Sequence, residues 1–269
     1  MNATLYKQMM KVNMKSFMNY AFGSAFYILL MFWLYPGLAQ NTKAIDELVQ
    51  SMPEGVGRAF GLNGFGSAEA FISGEYYGLI LVLILSIVCV QLSTQLMAKL
   101  VDQGSMAYLL STPTTRGKVA FTQASVLTSG LFLIMAVTTI AGFAGNAWFL
   151  GSDYDFNTSK FIQMNVSAFL LFFAVGGISF LVSSLSNDEK KALGLSGAIT
   201  FGFFSLDLLG KLSANIDWIR NISIFSLYTP GEIINGNADM VGASVILSVI
   251  GLLSFGLAIV LFRKRDLLL

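Results

Sequence analysis

Histidine is absent from the 269 residues, which removes the commonest general base, the commonest metal ligand and every histidine-dependent catalytic triad. Cysteine occurs once, at Cys89, inside the uncharged run from Tyr76 to Met97, so no intrachain disulfide and no multi-cysteine metal cluster can form. A lone thiol in such a run is expected to be inert core. Charge is scarce as well. Asp, Glu, Lys and Arg make up 12% of the chain against 55% apolar residues, and the mean hydropathy is +0.71. That is too little polar surface to cover a water-soluble globule, so lipid must cover it. The net charge of +1 hides an uneven distribution and says little by itself. Nucleotide signatures are missing too: no Gly-x-x-x-x-Gly-Lys-Ser/Thr occurs, and the run Gly61-Leu62-Asn63-Gly64-Phe65-Gly66 has no lysine and no strand-to-helix setting. Hydrolytic, zinc and ATP-hydrolysing chemistry within this chain are therefore not expected, and nucleic acid is not suggested as a partner.

What the chain has in quantity is apolar sequence. Runs long enough to cross a hydrocarbon layer of roughly 30 Å as about 20 helical residues fall at 20–38, 76–98, 119–150, 161–185, 192–212 and 241–262. The expectation is an all-α integral membrane protein with six transmembrane helices, residues 20–269 forming a single transmembrane domain. The third run exceeds what a span needs, so its outer part around Gly142, Gly145 and Asn146 is expected to bend or lie along the interface. The apolar run from Ala21 to Leu38 contains no small-residue cleavage site, and the first span is read as retained rather than as a signal peptide.

Orientation follows from the basic residues between the spans. Segments 1–19, 99–118, 186–191 and 263–269 hold eleven of the sixteen: Lys7, Lys11, Lys15, Lys99, Arg116, Lys118, Lys190, Lys191, Arg263, Lys264 and Arg265. Segments 39–75, 151–160 and 213–240 hold ten of the fifteen acids and only Lys43, Arg58, Lys160 and Arg220. The first set is assigned to the cytoplasm, which places both termini inside and demands an even number of spans. Trp33, Trp148 and Trp218 all fall near the expected outer ends, where amphipathic rings prefer to sit.

Residues 1–19 read as an amphipathic elbow helix on the inner leaflet. Lys7, Lys11 and Lys15 recur every four residues on one face, and Leu5, Tyr6, Met9, Met10, Val12 and Phe17 cover the other. Outside, Ile45, Leu48, Val49 and Met52 keep helical spacing up to Pro53, and the glycine-rich stretch from Gly55 to Gly78 is expected as an irregular loop.

Within the spans, Asp207 is the one acid, and an ionisable group there is a candidate proton or cation site. Lys211 lies four residues later, so a structural pair on one helix face is the stronger reading. Gly194, Ala198 and Gly202 form a small-residue stripe that lets another helix approach, either within the chain or in a dimer seam. Gln91, Ser93, Thr94, Gln95, Gln163 and Asn165 either line a path or hydrogen-bond between helices.

The segment 99–118 carries the most information. It reads as a short helix, a break before Pro113 and a basic re-entry into the membrane. Asp102, Gly104, Ser105, Leu109, Leu110, Ser111, Pro113 and Arg116 resemble the loop between the second and third spans of type-2 ABC exporter permeases: an acid, then Gly-Ser or Gly-Thr, then Leu-Leu-Ser/Ala-x-Pro, then an arginine. Asp102 stands where glutamate is usual. Met52-Pro53-Glu54-Gly55 with Phe60-Gly61, Ser184-Leu185-Ser186, Tyr228-Thr229-Pro230-Gly231-Glu232 and Phe262-Arg263-Lys264-Arg265-Asp266 are also similar, so the likeness covers nearly the whole chain. The resemblance implies a multi-pass protein of a bacterial plasma membrane. It implies that Asp102, Gln103, Gly104, Ser105 and Met106 form a coupling segment for a separate cytoplasmic ATPase, which binds the ATP and magnesium that this chain does not. It further implies a second permease copy, and cargo that is hydrophobic or amphipathic; the branch exporting amphipathic peptide toxins such as phenol-soluble modulins is the nearest likeness. On the residues alone two other readings stay open: an ion-coupled transporter or channel using Asp207, and an integral membrane enzyme acting on lipid, against which the lack of histidine and of paired intramembrane carboxylates weighs.

Overall fold

The computed structural model describes residues 1–40, 51, 55, 57, 67–151 and 154–265. Six of its helices are long and apolar enough to cross a membrane, and among the described residues there is no strand. They are α1 (Ala3–Ala39), α2 (Ala68–Asp102), α4 (Arg116–Leu150), α5 (Thr158–Leu185), α6 (Glu189–Leu212) and α8 (Met240–Lys264). Two short helices lie between them, α3 (Ser105–Leu110) and α7 (Pro230–Asn235). The chain is an all-α integral membrane protein, as the spacing of its apolar runs implies. The Ile45–Met52 helical spacing and the Met52–Gly55 and Phe60-Gly61 motifs fall largely outside the described residues.

The elbow segment and the first span are one continuous helix. Asn2 starts it by accepting from the Leu5 N–H at 3.1 Å, and Pro36, which has no N–H for the Phe32 carbonyl, falls in the last turn, so the helix ends shortly after it. Contacts along α4 show how α1 lies. From Phe17 over Gly130, through Ser24 beside Thr138, to Phe32 over Gly145, the two helices advance in step. From Asn2 beside Thr122 to Phe17 over Gly130, α4 advances only half as far as α1. The lysine-bearing half therefore slants across the bundle. Lys7, Lys11 and Lys15 are exposed, while Leu5, Asn13 and Phe17 are buried; Val12, expected on the apolar face, is 63% exposed.

The helix of the second span begins at Ala68 rather than in the middle of a loop running to Gly78. Ser67 caps it, its hydroxyl accepting from the Ala70 N–H at 3.1 Å, and Glu69 in the first turn accepts from the Asn157 N–H at the head of α5. Gly74 and Gly78 are absorbed into a π-helical stretch, Ser73–Ile80, which buries Tyr76 and Tyr77 completely. The long third run continues as helix through Gly142 and Gly145 and ends in a π-helical turn, Asn146–Leu150.

The bundle packs through glycines opposite aromatic rings. A Cβ at Gly130 would fall on the Phe17 ring, one at Gly142 on Phe161 and one at Gly145 on Phe32. Lipid offers no hydrophobic drive for two helices to associate, so closeness of packing has to supply it. Polar side chains add cross-links: Ser24 Oγ lies 2.5 Å from Tyr76 Oη and 2.6 Å from Thr138 Oγ1, Tyr20 donates to Gln91 at 2.6 Å, and Thr139 donates to Asn165 at 2.9 Å. Gln91 and Asn165 thus join helices, the blander of their two readings.

Candidate functional site

The segment after α2 is a compact corner. Gln103 N–H closes on the Lys99 carbonyl at 3.0 Å and Gly104 N–H on the Val101 carbonyl at 3.0 Å, ending the helix. Gly104 then takes φ +70°, ψ −2°, left-handed backbone that costs other L-residues roughly 1–2 kcal/mol. The chain reverses there into α3. Ser111 and Thr112 hydroxyls take up the Tyr108 and Leu109 carbonyls at 2.8 and 2.6 Å, and Thr115 caps α4 by accepting from the Lys118 N–H. Pro113 lies in the turn between, unable to continue α3.

The five residues singled out here differ in role. Asp102 and Gln103 are exposed, Gly104 and Ser105 half-buried, and Met106 fully buried, so Met106 anchors the corner to the bundle. Tyr108, which the motif did not mark, is 81% exposed on the opposite side of α3. An aromatic ring two residues from an apolar anchor on a short helix is the signal that could have found it.

Several of the motif segments converge on this end. Asn2 donates to Thr114 Oγ1 at 2.9 Å and its N–H donates to Thr122 Oγ1 at 3.0 Å, bringing the start of α1 beside the corner. Asp102 Oδ2 accepts from the Glu189 N–H at 3.1 Å, and Lys99 Nζ lies 3.2 Å from Glu189 Oε1. Arg265 donates to the Ser184 and Ser186 carbonyls at 2.7 and 3.1 Å and to Asn187, while its own carbonyl accepts from Arg116. Burial pulls the Arg265 guanidinium below its usual pKa. Asn2, Arg265, the 102–116 loop and the 186–189 loop thus share one end of the bundle, the basic one.

The other end is acidic and carries Asp207, Lys211 and the Tyr228–Glu232 motif. Asp207 is 3% exposed and pairs with Lys211 at 2.6 Å, as the spacing implies, but also with Arg220 at 3.1 Å. Arg220 comes from the 3₁₀ stretch Ala214–Ile222, which folds back over Gly210, where a Cβ would strike the arginine side chain. Burial alone would lower the Arg220 pKa, but the hydrogen bonds and charges of Asp207 and Asp217 hold it above the usual value. With Asp217, which lies 3.2 Å from Arg220, the cluster holds two cations and two carboxylates, a balanced set that leaves Asp207 already paired. In the Tyr228–Glu232 motif, Tyr228 is buried, Pro230 opens α7, and Thr229 and Glu232 line a cavity of about 210 Å³ with Ser167 and Asp239. The stripe of Gly194, Ala198 and Gly202 is exposed, with no heavy atom within 4 Å of a Cβ placed on either glycine.

Six apolar helices, with an exposed, tethered corner at the basic end, make this a multi-pass membrane protein. The family described as ABC-2 family transporter protein matches residues 3–267, and the chain belongs to it. It is the membrane subunit of an ABC transporter, in which ATP is hydrolysed by a separate subunit, and it resides in the cell membrane. Among curated proteins none matches it.

Proposed function

We propose that this chain is the permease of an ATP-driven exporter of hydrophobic or amphipathic cargo, with amphipathic peptide toxins of the phenol-soluble modulin kind as the favoured substrates. The basic end faces the cytoplasm, where eleven lysines and arginines meet anionic lipid and the α1 lysines hold its first half at the surface. Two copies assemble with two ATPase subunits, and the seam between the copies runs along Gly194, Ala198 and Gly202. ATP and magnesium stay with the ATPase. Asp102–Met106 and α3 form the segment through which its closure reaches the membrane, shifting the permease between two conformations.

The observation that carries this reading is the corner itself: a short helix fixed by Gly104 and Met106, presenting Gln103 and Tyr108 at the basic end of a chain with no nucleotide site. The test uses two substitutions at Gly104 in the chain purified with its cognate ABC ATPase. Gly104→Trp adds bulk to the contact surface, and Gly104→Asn adds little bulk while tolerating left-handed backbone. Expected are a loss of peptide-stimulated ATP hydrolysis in the first and near-normal stimulation in the second, with a synthetic amphipathic helical peptide as probe. Full stimulation and transport in Gly104→Trp would sink the coupling assignment.

A further inference from the structure

The tip of α2 is built as a hinged lever, and what it holds is α6. At Met97 the backbone leaves the helical region, with φ −125° and ψ −73°. The next N–H, of Ala98, donates to Ser183 Oγ of α5 at 3.1 Å, and that hydroxyl donates in turn to the Ser93 carbonyl at 2.8 Å. A side chain inserted into the helical ladder is a known origin of a kink, and it keeps buried backbone groups satisfied while the two halves of the helix differ in direction. Ser183 is 1% exposed, so the insertion sits inside the bundle.

Beyond the kink lies one turn, Ala98–Asp102, and it grips a single residue twice. Asp102 accepts from the Glu189 N–H, and Lys99 pairs with the Glu189 carboxylate. Glu189 is the first residue of α6, so the Asp102 carboxylate also meets the positive end of that helix. Among the six spans α6 is the least enclosed, 22% of its apolar window being buried against 61% for α2 and for α5. An element with few lateral contacts to its own chain shifts against that chain at lower cost than one packed on all sides.

We propose that Asp102 and Lys99 are positioning residues that transmit displacement of the 103–115 corner to α6 through Glu189, the terminal turn of α2 swinging about Met97. The inference rests on reading that corner as the ATPase-coupling segment, and it gives Asp102 a different task from docking: its carboxylate faces α6. Lys99 supplies the weaker half of the grip, since its pair is partly exposed to water.

The experiment is a distance measurement in the full complex with the cognate ATPase, reconstituted in nanodiscs. Spin labels go on Leu193→Cys in the first turns of α6 and Phe121→Cys on α4, both exposed positions, while native Cys89 is fully buried. Labelled copies are diluted with unlabelled ones, and the distance is read without nucleotide and after trapping with ATP and vanadate. The unsubstituted pair is expected to change its separation on trapping. Asp102→Ala is expected to lose that change while still co-purifying with the ATPase and hydrolysing ATP. Asp102→Asn, which keeps an accepting oxygen, should retain most of it, and Lys99→Glu with Glu189→Lys should recover more than either alone. A normal change in Asp102→Ala overturns the inference and leaves the coupling segment standing. Loss of ATPase binding in that variant also overturns it, because Asp102 would then be a docking residue. No ATPase association of the unsubstituted chain overturns the inference and the coupling reading together.

Discussion

Asp207 shares its two oxygens between Lys211 and Arg220, at 2.6 and 3.1 Å, and the sharing sets what each substitution should cost. Losing one cation leaves the carboxylate a second, so Lys211→Met or Arg220→Met should lower stability by about 1.5–3 kcal/mol, the range for a hydrogen bond to a charged group. Losing both strands a buried charge, and the double variant should cost about 3–5 kcal/mol or fail to fold. Thermal unfolding of the detergent-solubilised chain reads all three. Asp207→Asn should leave ATP-dependent transport unchanged by proton or sodium gradients; gradient-dependent flux that disappears in this variant would instead support ion coupling. The acid and the base four residues later were legible in the sequence because helical periodicity places them together. Arg220 was not, because its approach depends on the extended break at Ser213, which turns the 3₁₀ stretch back over the end of α6 and has no period to read.

At the scale of helices, the informative glycines are those that receive rings. The sequence drew attention to Gly194 and Gly202 because they recur with Ala198 at four-residue spacing, yet among the described residues no atom of another element comes within 4 Å of a Cβ placed on either. Close internal seams use Gly130, Gly142, Gly145 and Gly251, whose partners Phe17, Phe161, Phe32 and Phe173 lie on other helices and are invisible to a local pattern. Gly130→Leu should therefore cost about 1–3 kcal/mol by displacing Phe17. Adding Phe17→Ala should return part of it, a coupling that a double-mutant cycle on thermal unfolding measures. Gly194→Leu should leave the unfolding of the single chain unchanged. The same limit explains the helix ends. Six apolar runs located six spans, but the start of α2 at Ala68 depends on the Ser67 cap and on Glu69 meeting Asn157, and the unbroken α1 depends on the surface that α4 offers it.

For the whole molecule the question is what covers α6 in the membrane, and α8 supplies the comparison. The outward face of α8 presents Val241, Val245, Val249, Leu252, Leu253 and Leu257, bulky side chains suited to acyl tails. The outward side of α6 carries Leu193, Leu195, Leu209 and Leu212 at its two ends, and between them the stripe Gly194, Ala198, Gly202 and Ser205. Small residues gain little from lipid, but they let a second helix come close enough for backbone-to-backbone packing. Two copies meeting along this stripe would bury it, and each α6, tied at its start to Asp102 of its own chain, would carry motion from the basic end into the seam. Ala198→Cys is then expected to form a disulfide between copies under mild oxidation in native membranes. Ala198→Phe should lower the dimeric fraction in detergent and peptide-stimulated ATP hydrolysis, with thermal unfolding of the monomer unaffected. If Ala198→Cys stays monomeric while a cysteine on the α8 face cross-links, the seam lies along α8 and lipid covers α6.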